Sequence, residues 1–325
     1  MKYNTLAIDS VLEHDLPLIL ISILHKILNL IQMKKSSLIS MIVIVALTGI
    51  LFSTIYSFKS TPKKFIGLQL YSIRDSINKN VPAALAKVSK MGYKFVEPAS
   101  YANGKIYGMD PVAFKDLCKK NGLTVLSAHV GQALPSEADW NKTMAWWDAC
   151  IDTHVKAGAK YLVQPFMGGD AYKSLSVLKK YCDYFNAIGE KCNAKGLRFG
   201  YHNHDSEFST KLEGQTIYDF MLTNTDPKKV MFEMDLGHMV DGGADPVKYF
   251  NKYPGRFELW HIAEGYELGS TGKMDYKAIW AAAKISGMKY GVVEVEKYHF
   301  DEFTSCEKSA DFLNNADYVV MPKKK

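Results

Sequence analysis

Cysteine is scarce in this chain. Five residues (Cys118, Cys150, Cys182, Cys192 and Cys306) are spread over 325, and no two form a Cys-x-x-Cys pair. That excludes a disulfide-stapled scaffold and argues against a structural zinc. The odd count leaves at least one thiol free even in an oxidising compartment. Charge of one sign is also lacking where it would matter. The net charge is +6, but +4 falls within residues 1–64 and +3 on Lys323, Lys324 and Lys325, so residues 65–322 carry −1. A near-neutral body opposes a phosphate-backbone binder, and nucleic acid is not an expected partner. No glycine-rich phosphate turn follows the first apolar run, which continues LQLYSIRDS. A doubly wound dinucleotide-binding sheet would want one there. No internal repeat and no second domain are visible. With 47% hydrophobic and 23% charged residues, the chain is neither disordered nor collagen-like.

Three stretches differ in character. Met33, Lys34 and Lys35 precede an apolar run of about 19 residues. A short cationic stretch ahead of an apolar segment is how a secretory signal begins, and the same run is long enough to span a bilayer if it is not cleaved. Residues 33–60 are therefore read as a signal peptide or membrane anchor, and residues 1–32 as an upstream extension. Cleavage would leave a mature chain beginning between residues 54 and 64. Either way the rest is expected outside the cytoplasm, periplasmic, extracellular or membrane-anchored, touching a membrane only through an uncleaved N-terminal segment.

After Pro62, short β-rich runs alternate with amphipathic stretches. The runs are FIGLQL (65–70), KFVEP (94–98), LTVLSAH (123–129), KYLVQP (160–165), LRFGYHNH (197–204), VMFEMD (230–235), RFELWHI (256–262) and YGVVEVE (290–296). Helical patterns with apolar residues at spacings of three and four lie between them, several stopping at glycine. Eight such units over 65–320 predict an α/β fold of the (β/α)8 TIM-barrel class, in one catalytic domain.

In such barrels the active site lies at the C-terminal ends of the strands. Gln69, Glu97, His129 and Gln164 end the first four runs. His202 and His204 end the fifth, and Asp235 the sixth, with His238 one turn on. His261 ends the seventh, with Glu264 after it, and Glu294 and Glu296 end the eighth. Any one of these suits a solvated loop. Eight converging positions do not, because the strand starts carry mostly Phe, Lys, Arg and Leu. Imidazoles mixed with carboxylates suit one divalent ion (Mn, Zn, Co or Mg), the nitrogen donors favouring the transition metals. A metal-free acid–base cluster is the alternative.

These residues carry a resemblance. The pieces GLQLYSIRD, VEPASY, SAH, GYHNHDSEF, MDLGHMVDGGADPVKYFNKYPGRFELWHI and VVEVE stand in order on successive runs. From about 65 to 320 the chain resembles the xylose-isomerase-like TIM barrels, broadly sugar phosphate isomerases/epimerases. That superfamily includes ketose 3-epimerases, inosose dehydratases and endonuclease IV. The resemblance implies a metal held from strands five to eight, with Asp235, His261 and Glu294 matching the ligands of strands six to eight. At the fifth strand the epimerases have Glu where this chain has His202, within Tyr201-His202-Asn203-His204, a run similar to that of inosose dehydratases. Glu207 is the nearest carboxylate and an alternative ligand.

The implied metal set is His202, Asp235, His261 and Glu294. The expected proton carriers are His204, Glu207, His238 and Glu97, and the expected substrate contacts are Gln69, His129, Glu264 and Glu296. His202 and His204 stand two apart and should face the same way; the milder role for His204 and His238 is hydrogen bonding to substrate hydroxyls. The expected activity is metal-dependent enediolate formation from a keto-sugar or keto-glycoside. It leads to isomerisation or epimerisation, or alternatively to β-elimination by a lyase or dehydratase. A non-catalytic sugar-binding barrel and a nuclease of the endonuclease IV type are the other classes. The first would use aromatics such as Tyr71, Tyr101, Phe166, Trp260, Tyr266 and Tyr298; the second would need three metals and a basic groove. Export argues against a phosphorylated sugar, and Arg74 is the one arginine near a strand end.

Overall fold

Two prolines show how the sequence sets the strand ends. Pro98 and Pro165 follow Glu97 and Gln164 directly, and with no N–H to donate each removes a ladder hydrogen bond at the strand end. The computed structural model describes residues 63–322, with His25 and Lys26. The leader or anchor expected over 33–60, and nearly all of 1–32, lie outside the described residues. Among the described residues no helix is long and apolar enough to cross a membrane.

The strands are β1 (Gly67–Gln69), β2 (Phe95–Glu97), β3 (Thr124–Val125), β4 (Tyr161–Gln164), β5 (Arg198–His202), β6 (Val230–Asp235), β7 (Leu259–Ile262) and β8 (Tyr290–Val293). All pair in parallel, in the order β3-β2-β1-β8-β7-β6-β5-β4. The outer two then meet. Lys160 N and Tyr161 N donate to the Leu126 carbonyl at 2.7 and 3.2 Å, Val163 N donates to Ala128 O at 2.9 Å, and His129 bridges Val163. The sheet is thus curled into a barrel. Only β6 has the length expected from its run; β8 stops at Val293, so Glu294 and Glu296 belong to the loop that follows.

A helix follows each strand: α1 (Val81–Met91), α2 (Pro111–Lys120), α3 (Trp140–Ala157), α4 (Leu175–Ala194), α5 (Ile217–Asn224), α6 (Pro246–Lys252), α7 (Tyr276–Ala281) and α8 (Glu302–Asn315). Seven begin at a side-chain cap, from Asn80, Asp110, Ser174, Thr216, Asp245, Asp275 and Asp301. Each such cap stabilises a helix start by about 1 kcal/mol. Gly92 and Gly158 close α1 and α3 in the left-handed region, at φ 98° and 87°.

Alternation sends every second strand residue into the barrel. The lower interior is a plug of Phe95, Leu126, Tyr161, Val163, Met231, Leu259 and Val292, against which Phe65 and Tyr290 pack. Gly67 and Gly200 leave room for it. A Cβ at Gly67 would stand 2.0 Å from the Phe95 ring, and one at Gly200 2.4 Å from Met231 Cε. The plug closes one end and leaves the polar residues above it as the floor of the other.

The outer shell holds a titratable group of its own. His154 of α3 is 1% exposed, and its Nδ1 lies 2.8 Å from the Cys150 carbonyl oxygen. Burial lowers its pKa to about 4, against about 6.5 in an unfolded chain. Folding therefore favours the neutral ring. Its contribution is complete above about pH 6.5 and is lost as the pH falls towards 4, by about 3 kcal/mol in all. Urea unfolding at pH 7 and pH 4.5 should show a larger loss for the native chain than for His154→Phe. Equal losses would contradict this.

Candidate active site

Directly above the plug, the next inward positions are ionisable. Glu97 follows Phe95 by two residues, His202 follows Gly200, Glu233 and then Asp235 follow Met231, and His261 follows Leu259. Glu294 follows Val292 just past the end of β8, and His129 enters from the bridge that closes the barrel. Glu97, Glu233, Asp235 and His261 are fully buried, and His202 and Glu294 nearly so.

Four carboxylates and three imidazoles thus share one enclosed space. His261 Nδ1 lies 2.8 Å from Glu294 Oε2, and its Nε2 2.7 Å from Glu97 Oε1. His129 Nε2 lies 2.7 Å from Glu233 Oε2. Burial would lower the His261 pKa, but Glu233, Glu294 and Glu97 hold it well above its ordinary value. His129 is raised against burial by Glu97 and Glu233. Burial also opposes ionisation of Glu97, yet His129 and His261 bring it down to about 2. Burial, with Glu97 adding to it, raises Glu233 to about 7, and burial raises Asp235 to about 6. His202, buried among other imidazoles, is pushed well below its ordinary value.

Even so, Glu97 Oε2, His202 Nδ1, Glu233 Oε1 and Asp235 Oδ2 are buried without a hydrogen-bond partner. Each such atom costs about 1–3 kcal/mol. A cation at their meeting point would remove that cost and take over the role of the imidazole protons, so the residues fit a divalent ion. The four expected ligands, His202, Asp235, His261 and Glu294, offer donor atoms that lie within 4.8 Å of one another. A second set, His129, His202, Glu233 and His261, is equally close. Glu233 was not among the expected residues. It does not end its run, but it stands two before Asp235, and alternation puts both on the inner face.

A cleft of about 520 Å³ opens above this cluster, with His129, His202, His204, Glu294 and Glu296 on its wall. The His204 ring lies 5.1 Å from that of His202 and 4.8 Å from that of His238. Asp235 Oδ1 accepts from His238 N at 2.7 Å and caps the short helix Leu236–Asp241. This is why His238 returns over the cluster. Its Nε2 lies 3.4 Å from Glu296 Oε2. Burial pulls the His238 pKa down, but Glu296 and Asp235 raise it to about 9; burial lowers His204.

The other expected residues lie elsewhere. Glu97 belongs to the deep cluster, not to the cleft wall. Gln69 donates to Glu97 Oε1 at 2.7 Å and accepts from Tyr71 N at 3.0 Å, so it orients Glu97. Glu207 departs from its expected role as proton carrier or ligand. The short helix Ser206–Ser209 turns it behind His204, where it accepts from Tyr172 and Tyr201 hydroxyls at 2.6 and 2.5 Å and from His204 N at 3.0 Å. Glu264 likewise departs from substrate contact. It accepts from Gly269 N at 2.6 Å, from the Tyr276 hydroxyl at 2.9 Å and from the Thr271 hydroxyl, and so folds its own loop. Trp260 is buried against Phe250, and Tyr266 stacks on His299 at 4.2 Å.

Asp235→Asn and His261→Gln should each weaken zinc or manganese binding by tenfold or more, read as metal retained after dialysis. Glu233→Gln separates the two donor sets. Loss of metal in Glu233→Gln with full retention in Asp235→Asn would move the ion to the second set.

Known proteins share this architecture. A solved structure described as a sugar phosphate isomerase/epimerase from Parabacteroides distasonis is 35% identical, with a TM-score of 0.74 over 79% of this chain and 100% of that one. The inosose dehydratase of Lacticaseibacillus casei is 25% identical over 251 residues, 66% of this chain and 81% of its own length. A structure described as IOLI protein with a binding zinc atom, 13% identical, shares the fold at a TM-score of 0.57 over 79% of this chain and 98% of that one. The family model of the xylose isomerase-like TIM barrel matches residues 85–316. With β2 to β8 and their outer helices inside that match, the chain belongs to the xylose isomerase-like TIM barrel family, as an enzyme of its isomerase, epimerase or lyase kinds.

Proposed function

We propose that the chain converts a keto-sugar or keto-glycoside to its enediolate, with one divalent ion held by His202, Asp235, His261 and Glu294. The observation that carries this reading is the wall of the cleft, where His204 and Glu296 stand beside His202 and Glu294 of the candidate ligand set. When bound, the ion would polarise the ketone oxygen and stabilise negative charge on it. An imidazole nitrogen of His204 then takes the proton from the carbon next to the carbonyl, and the C–H electron pair forms the enediolate double bond. Glu207 holds the His204 backbone in place. His238 Nε2, facing Glu296 Oε2, holds a proton for return. Delivery to carbon gives the isomer or epimer.

One observation favours elimination as a second reading. Of the four candidate ligands, only His202 and Glu294 line the cleft. A symmetric pair of metal-bound carboxylates, one for each face of the substrate, is therefore missing. In elimination the enediolate collapses with loss of a β-hydroxyl, which leaves as water with a proton from the His238–Glu296 pair. Relatives that are inosose dehydratases support this branch. The proposal also includes the setting. An exported or membrane-anchored barrel, with any membrane contact through residues 33–60, would meet glycosides and not sugar phosphates.

The test is to incubate the metal-loaded full chain with 2-keto and 3-keto sugars and glycosides in deuterium oxide and follow proton signals. Loss of the signal next to the carbonyl is expected, with an enone signal if elimination follows. Exchange with none of them would overturn the reading. His204→Gln and His238→Gln should each lower exchange by roughly two to four orders of magnitude with metal retained. Full metal together with full exchange in either variant would remove that residue from proton transfer.

A further inference from the structure

The proposed reacting groups of the cleft come from the end of β5 and the loop after β8, whereas four rings that also line it, Tyr71, Tyr101, Trp146 and Phe166, come from the segments that follow β1 to β4. Two of them are conspicuous on energetic grounds. Tyr71 is 48% exposed and Phe166 44%, among the few large apolar side chains so exposed in the described residues, and both face this cleft. Leaving about half of such a ring in water forgoes part of the gain of full burial, which is about 1.5–3 kcal/mol for a phenyl side chain.

The rings are also held in place before any ligand arrives. Trp146 of α3 packs edge-on against Trp147 at 5.1 Å and against Tyr101 at 5.3 Å. Tyr101 rests in turn on His154. Phe166 lies over Gly131, where an added Cβ would come within 2.9 Å of its ring, and Gln164 Nε2 donates to the Phe166 carbonyl at 2.9 Å. Arg74 lies 4.8 Å from the Tyr71 ring centre.

The charge of the cleft is as informative as its rings. Among the described residues no lysine or arginine lines it, whereas Glu294 and Glu296 do. Arg74, the nearest arginine to a strand end, spends its donors inside the protein. Its Nη1 donates to the Tyr298 hydroxyl at 2.6 Å and to Tyr71 O at 3.3 Å, and its Nη2 donates to Glu296 O at 3.2 Å. A phosphate brought here would meet carboxylates and no fork of donors.

We infer that Tyr71, Tyr101, Trp146 and Phe166 form a subsite for a second, uncharged ring of the substrate, a sugar or an aromatic aglycone. The substrate class is thereby a glycoside and not a phosphorylated monosaccharide. The inference rests on the proposed function for the chemistry at the floor of the cleft; the subsite adds which molecules reach that chemistry. Each ring stacked on a flat apolar face adds binding without charge.

The test measures binding of methyl β-glucoside, phenyl β-glucoside, glucose and glucose 6-phosphate to the metal-loaded full chain by calorimetry. Phenyl glucoside should bind at least tenfold more tightly than methyl glucoside, and glucose 6-phosphate more weakly than glucose. In Trp146→Ala the ratio between the two glucosides should fall towards one, with metal content as the check on folding. Phe166→Ala, at a more exposed position, should reduce the same ratio if Trp146→Ala does not fold. Equal affinity for the two glucosides, no measurable binding of phenyl glucoside, or preference for glucose 6-phosphate would overturn the subsite. Failure of the reaction is seen separately. A phenyl preference without any deuterium exchange leaves the subsite standing and removes the enediolate chemistry; exchange without the preference does the reverse.

Discussion

Four carboxylates enclosed at one end of a barrel cannot all stay charged unless something positive is enclosed with them. Without an ion, His261 and His129 take that part. His261 stands between Glu294 and Glu97 with a nitrogen 2.8 and 2.7 Å from each, and His129 reaches Glu233. The unpartnered oxygens of Glu97, Glu233 and Asp235 show that two imidazoles do not complete the set. A divalent cation answers the same constraint with one centre of charge. The apolar plug below matters for this reason: it packs the barrel beneath the cluster, while the cleft opens above it.

The loop after β8 translates that constraint into a usable wall. It carries Glu294 and Glu296, and it is pinned from two sides. Arg74 holds the Glu296 carbonyl and the Tyr298 hydroxyl. Glu267 Oε2 lies 2.6 Å from His299 Nδ1, and its Oε1 accepts from His299 N and from the Ser305 hydroxyl. Burial opposes ionisation of Glu267, but those hydrogen bonds hold its pKa down to about 2. A carboxylate left on a free loop would be poorly aimed; fixed at both flanks, Glu296 keeps its place beside His238.

Several carboxylates near the rim have no access to the cleft, and the sequence gives little sign of which. Glu207 and Glu233 are both fully buried. Glu207 sits on a single helical turn and faces two tyrosine hydroxyls. Glu233 sits on a strand and faces the cluster. The strand residue is absent from the expected set, although a local rule, alternation two places before Asp235, points to it. No local rule points to the place of the helical one, because Tyr172 and Tyr201, which hold it, come from two other elements. Glu264 is a similar case, since the turn that brings Gly269, Thr271 and Tyr276 back to it is long and irregular.

The sequence by itself determined the alternation of eight strands with their helices, and the ends where prolines follow β2 and β4. It also placed His202, Asp235, His261 and Glu294 at successive strand ends. These follow from period, propensity and the missing N–H of proline, all of them local. The tertiary structure alone decided that the barrel closes between His129 and Val163, that Gln69 orients Glu97, and that Arg74 is occupied by Tyr298 and Glu296. It also decided that Tyr71, Tyr101, Trp146 and Phe166 all line one cleft while Trp260 is buried. Each of these pairs residues far apart in the chain, and such partners are chosen by packing around the closed barrel, which no local pattern encodes.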